Sequence, residues 1–414
     1  MHLFKVSLLG LNVVSAANGY TTEFDASTYA KADVVNVDVA IIGGGATGTY
    51  AAITLRDLGK SRYENTSVAT KYFDRLGVTY NGSPMPSYTN ATVYSDFTTG
   101  KPLTNFTPSF NFWPYITQLE RYPFLERTKD LAALVDPDLY SSFGDFLVKY
   151  WLQDVAYSIY MFSSTAILQL PTLNVISNVG LKELGVHTTA IGVVSEKGNH
   201  IIYINALKVL QKSVLLRSTV TSARRNSYGS QLVVSTPTGK KLINTKQLSY
   251  YHSTHCREPG SISEGLWPGI VKISGLPAGV TYKNAAPETL YNLPTAPAIN
   301  SLTPTAIEGF YRFYMFNAEP MPYAQARAKT LASIKAFADA VTGVSTEPEL
   351  IEFASHTPWY SKFPSEAIKN GTWHELYELQ GYRNTWYAGM EIVLGSVALW
   401  NYTSTLIPEI VAKL

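Results

Sequence analysis

The sequence predicts an α/β fold organised around a dinucleotide-binding, Rossmann-like domain, and three consecutive features carry that prediction. Residues 35–42 (VNVDVAII) set Val35, Val37, Val39 and Ile41 in alternation and then run apolar to Ile42, as in a strand buried in a parallel sheet. Gly43-Gly44-Gly45-Ala46-Thr47-Gly48 satisfies G-x-G-x-x-G directly after it. Tyr50, Ile53, Leu55 and Leu58 then give the following stretch a helical apolar face, which Gly59 closes as a C-cap.

Each position has a physical reason. Gly43 allows the tight turn, Gly45 lets the backbone approach a pyrophosphate, and Gly48 lets the helix pack close to the strand. Ala46 and Thr47 open that helix, whose free N–H groups and positive dipole end face the phosphate. A glycine-rich turn without a ligand is the alternative. A phosphate-binding P-loop ending at Lys60-Ser61 fails, because its first glycine would fall at Thr54 inside the helix.

Such a domain needs a second parallel strand ending in Asp or Glu, about 20 residues beyond the motif, to bind the ribose hydroxyls. Here only KSRYENTS (60–67) separates Gly59 from the next helical pattern, VATKYFDRLGV. Glu64 has roughly the right spacing, but its neighbours are polar and Asn65 beside it opens a glycosylation sequon. Residues 60–67 are therefore expected to form a loop, with the sheet lacking its usual neighbour on that side of the motif strand.

Composition bounds the partners. Of 414 residues 46% are hydrophobic and 15% charged, and 33 basic against 31 acidic side chains leave a net charge of +2. No long-range field favours nucleic acid or an anionic membrane, so a small-molecule substrate is expected. Residues 1–17 put Lys5 before an apolar run from Val6 to Val14 and then small residues, the outline of a signal peptide; an N-terminal strand is the alternative. Sequons at Asn65, Asn81, Asn90, Asn105, Asn370 and Asn401 fit a secreted glycoprotein. A single cysteine, Cys256, excludes an internal disulfide framework.

Three separated blocks resemble flavin-dependent amine oxidase type proteins, in particular their fungal beta-cyclopiazonate dehydrogenase-like branch. They are DVAIIGGGATGTYAAITLRDLGKS, LLRSTVTSARRNSYGSQLVVSTPTGKKLINTKQL and LYELQGYRNTWYAGMEIVLGSVALWNYTSTLIPEIV. The resemblance implies FAD as cofactor, held at Gly43, Gly45, Ala46, Thr47 and Gly48, at the backbone of Val220, and at Gly389, Met390 and Val397 in the C-terminal turn and helix. It implies an FAD-binding domain with an inserted helical and β substrate domain. The chain divides accordingly into 1–17 (leader), 18–60 (first part of the FAD domain), 61–195 (mainly helical, substrate-covering), 196–250 (return to the FAD domain), 251–383 (mixed substrate domain) and 384–414 (flavin-contacting strand and helix). It also implies hydride transfer from a C–N or C–C bond of a small organic substrate. Two stretches of the family pattern have no counterpart, after Lys60 and after Leu248, so the nucleotide domain reads as incomplete.

The same blocks make sense without the family. SVLLRSTVTSARR alternates, QLVVSTPTGKKLI is a hairpin with a Thr-Pro-Thr-Gly turn, and a small antiparallel sheet beside the nucleotide domain follows. RNTWYAG is a short strand stopped at Gly389, and the helical run after it is expected to kink at Pro408. The aromatic-rich helical patterns between 112 and 170, broken at Pro123 and Pro137, form either a pocket lining or, more simply, core. His252, His255 and Cys256 in YYHSTHCRE lack a second remote ligand pair, so no metal is assigned. No G-x-S-x-G elbow occurs, and no catalytic acid or base is assigned. Two further readings stay open: a non-catalytic secreted glycoprotein of this architecture that does not retain FAD, and an NAD(P)-dependent dehydrogenase.

Overall fold

The computed structural model describes residues 6–9, 15–16, 22–58, 67–81, 88–126, 128–131, 136–163, 166–181, 183–185, 194–250, 261–390, 392–393 and 395–414. It is a mixed α/β protein with two eight-stranded sheets. The first gathers Ser15–Ala16, Thr219–Asn226, Gly229–Thr236, Gly239–Tyr250, Val34–Ile42, Val6–Leu9 and Val214–Leu215 in that spatial order, and Thr385–Tyr387 joins Gly239–Tyr250. Val39, Ala40, Ile41 and Ile42 are fully buried, as the apolar end of the motif strand requires.

The long strand Gly239–Tyr250 organises this sheet. Its first half pairs antiparallel with Gly229–Thr236, closing the hairpin read at Thr-Pro-Thr-Gly. Its other edge runs parallel to the motif strand from Leu242↔Val34 to Tyr250↔Ile42, and its last residues run parallel to Thr385–Tyr387. The expected small antiparallel sheet is thus continuous with the parallel one: a 12-residue strand reaches beyond its hairpin partner and offers free backbone groups to a second set of neighbours.

A second correction concerns the expected vacancy. The side of the motif strand predicted to lack a neighbour carries Val6–Leu9, parallel in the register Leu9↔Ile42, and that strand pairs on its far edge with Val214–Leu215. Val6–Leu9 and Ser15–Ala16 both fall within the span read as a leader, and the latter pairs with Thr219–Asn226. The unmade hydrogen bonds along the motif strand explain why an apolar, β-prone run is drawn there. Glu64 and nearly all of 60–67 lie outside the described residues, as do His252, His255 and Cys256.

The second sheet runs Glu349–Phe353, Ile262–Lys272, Phe310–Asn317, Ser301–Pro304, Val280–Asn284 and Ala91–Ser95, with Ala298–Ile299 and Trp359–Lys362 attached. Short helices cover it: Trp113–Leu119, Pro137–Tyr140, Phe143–Lys149, Ala156–Ser163 and Thr172–Ile176. Proline sits at the start of the first two, and the Asp136 and Ser142 side chains cap Pro137–Tyr140 and Phe143–Lys149. Their aromatics Tyr115, Phe143, Phe146, Tyr157 and Tyr160 are buried in one cluster with Phe316, Trp373 and Ile392, so most of the aromatic pattern is core.

Candidate cofactor site

Register places the carboxyl ends of five parallel strands in one row. Leu215 aligns with Leu9, Leu9 with Ile42, Ile42 with Tyr250, and Tyr250 with Tyr387. Ligands of open α/β sheets bind beyond such a row of strand ends. Two turns leave it on either side of Tyr250: Gly43 after Ile42, and Ala388 after Tyr387, the Ala388 N–H donating to the Tyr250 carbonyl at 2.9 Å.

The glycine turn has the shape its sequence predicts. Gly43 adopts φ +108°, a region that other residues rarely enter. Gly45 is the N-cap of the helix Ala46–Arg56 and offers no side chain to its first turn, so Ala46, Thr47 and Gly48 present their backbone at an uncapped helix start. A Cβ at Gly44 or Gly45 would meet nothing within 4 Å, whereas one at Gly48 would stand 1.9 Å from the Gly43 carbonyl oxygen. The first two glycines therefore keep space open for a ligand, and the third lets the turn and helix touch. The Thr49 hydroxyl holds the turn by donating to the Gly44 carbonyl at 3.0 Å.

The C-terminal helix Ser396–Ala412 closes onto this turn. The Trp400 indole N–H donates to the Ala46 carbonyl at 3.1 Å, and its ring stacks on Tyr50 at 5.9 Å and meets Tyr72 edge-on at 5.0 Å. The helix runs on through Pro408 as a single element. Val397 stands in its first turn, 45% exposed, and Gly389 and Met390 occupy the turn beyond Ala388. Val220 is fully buried in the cluster that holds Ile42 and Leu248. The first and third sequence blocks thus meet at one end of one sheet, and the second enters that row at Leu215.

A cavity of about 280 Å³ lies beside the turn, lined by Gly44, Thr49, Tyr203, Leu210, Val214 and Arg217 among others. It falls at the lower end of the range for small-molecule sites, room for one part of a dinucleotide. Among the described residues Arg217 is its single charged lining residue, and it adopts φ +51°, outside the usual region for arginine. The sequence reading missed it; an arginine between Leu215 and Val220, just past a strand end, was the available signal.

The substrate-side sheet carries charge of another kind. Lys362 and Glu264 form an ion pair at 2.6 Å with both side chains buried. Burial pushes the Glu264 carboxyl above its ordinary range, and Lys362 pulls it back. Lys129 is buried close by, its ammonium 3.2 Å from the Tyr360 hydroxyl and over the Trp373 ring at 4.6 Å. Its backbone N–H donates to the Tyr377 hydroxyl. Among the described residues no group of three or more His, Cys, Asp or Glu side chains could hold a metal, and no helix is long and apolar enough to cross a membrane.

A test of fit for a dinucleotide gives a divided result. The open glycine turn and the uncapped helix start suit a pyrophosphate. The neighbouring strand Val6–Leu9, where the ribose-binding acid belongs, reads VSLL and has no carboxylate.

Fold and site together define an α/β protein of flavoprotein type: one sheet with a glycine turn at its strand ends, and a second sheet under short helices. No protein-family model matches the chain. It is 32% identical to the FAD-dependent oxidoreductase dbaF of Emericella nidulans, over 94% of each chain, and 30% identical to the FAD-dependent oxidoreductase pigF of Monascus ruber, over 98% of each. The beta-cyclopiazonate dehydrogenase of Aspergillus oryzae is 28% identical over 92% of this chain and 94% of its own. The chain belongs to the FAD-dependent oxidoreductases that include beta-cyclopiazonate dehydrogenase, and its cofactor is FAD. The nicotinamide alternative gives way to that finding. Solved structures share the fold: a fatty acid isomerase from P. acnes (14% identity, TM-score 0.64, 90% and 98% of the two chains) and putrescine oxidase (12%, 0.62, 92% and 100%). The alignments to the first two relatives run over 445 and 467 positions, more than the 414 residues present, so each relative has stretches with no counterpart here.

Proposed function

We propose that this chain binds FAD across the row of strand ends and oxidises a C–N or C–C bond of a small organic substrate held between the helical layer and the second sheet. The emergence of the Gly43 and Ala388 turns at the same end of the sheet, on the two strands that flank the end of Gly239–Tyr250, carries the reading. In it the turn from Gly43 to Gly48, including Gly45, Ala46 and Thr47, cradles the pyrophosphate, the Val220 backbone meets the adenine, and Gly389, Met390 and Val397 face the flavin. Arg217 supplies a cation beside the phosphates. FAD, when bound, supplies the hydride acceptor; the protein orients the substrate and excludes water. Mixing the purified chain with FAD and then adding amines or dihydroaromatic compounds without oxygen should bleach the flavin's visible band. A protein that takes up FAD and is bleached by none of them contradicts the assignment.

A second reading has its own support: the strand beside the motif lacks the acid, and the relatives carry extra stretches. A ribose without its carboxylate forgoes a charge-assisted hydrogen bond worth roughly 1.5–3 kcal/mol, about tenfold to a hundredfold in affinity. On this reading the chain purifies mostly without flavin, and inserting a strand with a terminal acid after Lys60 restores it. Stoichiometric flavin in the unmodified protein excludes it.

The secretory pathway is the location that the N-terminal pattern supports, together with exposed sequon residues Asn105, Asn370 and Asn401. The pairing of Val6–Leu9 favours retention of that segment instead. Mass spectrometry of the mature N-terminus separates the two.

A further inference from the structure

Lys283 lies in the strand Val280–Asn284, on the face of the second sheet that meets the helical layer. Its partner in register is Tyr94, whose ring packs edge-on against Phe106 at 5.4 Å and Tyr157 at 5.7 Å. The Tyr157 hydroxyl donates to the Asn284 carbonyl at 2.7 Å, so the helix Ala156–Ser163 is fastened to this strand. The Lys283 ammonium stands 5.8 Å from the ring centres of both Tyr94 and Phe110. It is half-buried, and among the described residues it has no carboxylate at ion-pair distance and no hydrogen-bond acceptor. Burial holds its pKa below the ordinary lysine value.

Desolvation of an ammonium is costly, and ring faces offset it only in part. The other buried lysines of this region have polar partners, Glu264 for Lys362 and the Tyr360 hydroxyl for Lys129. Lys283 keeps its hydrogen-bonding capacity and its charge for something absent from the chain. Phe110 is 52% exposed, so one wall of the cage faces solvent and can receive a second ring.

We propose that Lys283 anchors the anionic group, a carboxylate or an enolate, of an aromatic substrate whose ring packs on Phe110. The inference rests on the reading that the chain oxidises a small organic molecule between helical layer and sheet, and it names the class of that molecule.

The test uses indole-3-acetate and its neutral amide as probes on the whole chain without added flavin, with binding followed by calorimetry or ligand-observed NMR. The acid should bind about tenfold to a hundredfold more tightly than the amide. Lys283→Met should remove the difference, Lys283→Arg should keep part of it, and Phe110→Ala should weaken both probes alike. Circular dichroism checks that each variant is folded. Equal binding of acid and amide, binding of neither, or an acid preference that survives Lys283→Met overturns the proposal. The readout needs no turnover: an acid preference lost in Lys283→Met, in a protein whose flavin no substrate bleaches, upholds Lys283 and removes the oxidase reading. Bleaching without any acid preference does the reverse.

Discussion

The two sheets build their candidate sites by opposite means. At the nucleotide sheet the site consists of what side chains leave out: Gly44 and Gly45 keep the space in front of the helix start empty, and Gly48 has no room for a Cβ. At the second sheet the notable features are what side chains bring in: Lys362 on Glu264, Lys129 over Trp373, Lys283 between two rings. The first kind is encoded in six consecutive residues and costs nothing in desolvation. The second draws on strands far apart in the sequence, and each buried charge depends on its partner.

The largest expected effect comes from breaking that dependence. Lys362→Met leaves Glu264 buried without its cation and should lower unfolding stability by about 3–5 kcal/mol, while adding Glu264→Leu should recover most of the loss. Urea unfolding of the two variants checks both halves; a double variant no better than the single one would mean that the pair does more than neutralise itself. On the nucleotide side, Gly48→Val forces a methyl-bearing carbon against the Gly43 carbonyl and should cost about 3 kcal/mol. Gly45→Val sharpens the contrast, since its Cβ enters open space. Its stability should change by less than about 1 kcal/mol, yet flavin uptake, read by absorbance after gel filtration, should be lost because the side chain occupies the path of the pyrophosphate.

The smallest effect is a titration on the substrate side. Asp130 lies 2.7 Å from Nδ1 of His374 and raises the pKa of this exposed imidazole, with Glu378 and Glu375 adding to the field. A pKa raised on folding contributes stability that is complete below the unfolded value, about 6.5, and fades as pH climbs through the folded one. Asp130→Asn should move the His374 titration toward lower pH, as NMR of its ring protons will report. An unchanged titration curve would show that the two glutamates, rather than the aspartate, set it.

How legible each region was follows from the same contrast. The motif strand, its turn and its helix could be read because strand period, glycine spacing and helix period lie within one short stretch, and the fold kept all three. The hairpin at Thr-Pro-Thr-Gly and the short strand before Gly389 were legible for the same local reason. The partner of the motif strand was not. The apolar run at Val6 has strand and leader character alike, and the parallel edge that it joins lies in residues remote from it in the sequence. Nothing in the sequence marks Lys283, and Arg217 is marked only by its place just past a strand end. What sets them apart is the absence of a carboxylate for the first and a place in the cavity wall for the second, which a linear sequence does not display.

The bond from Trp400 to Ala46 joins residues 354 positions apart. A ribosome releases the glycine turn 354 residues ahead of the tryptophan, so over that length of synthesis the turn lacks the helix that braces it. Parallel pairing of the motif strand with Gly239–Tyr250 waits in the same way for half the chain. A chain truncated before Ser396–Ala412 would therefore carry the glycine motif intact but without the helix that braces it.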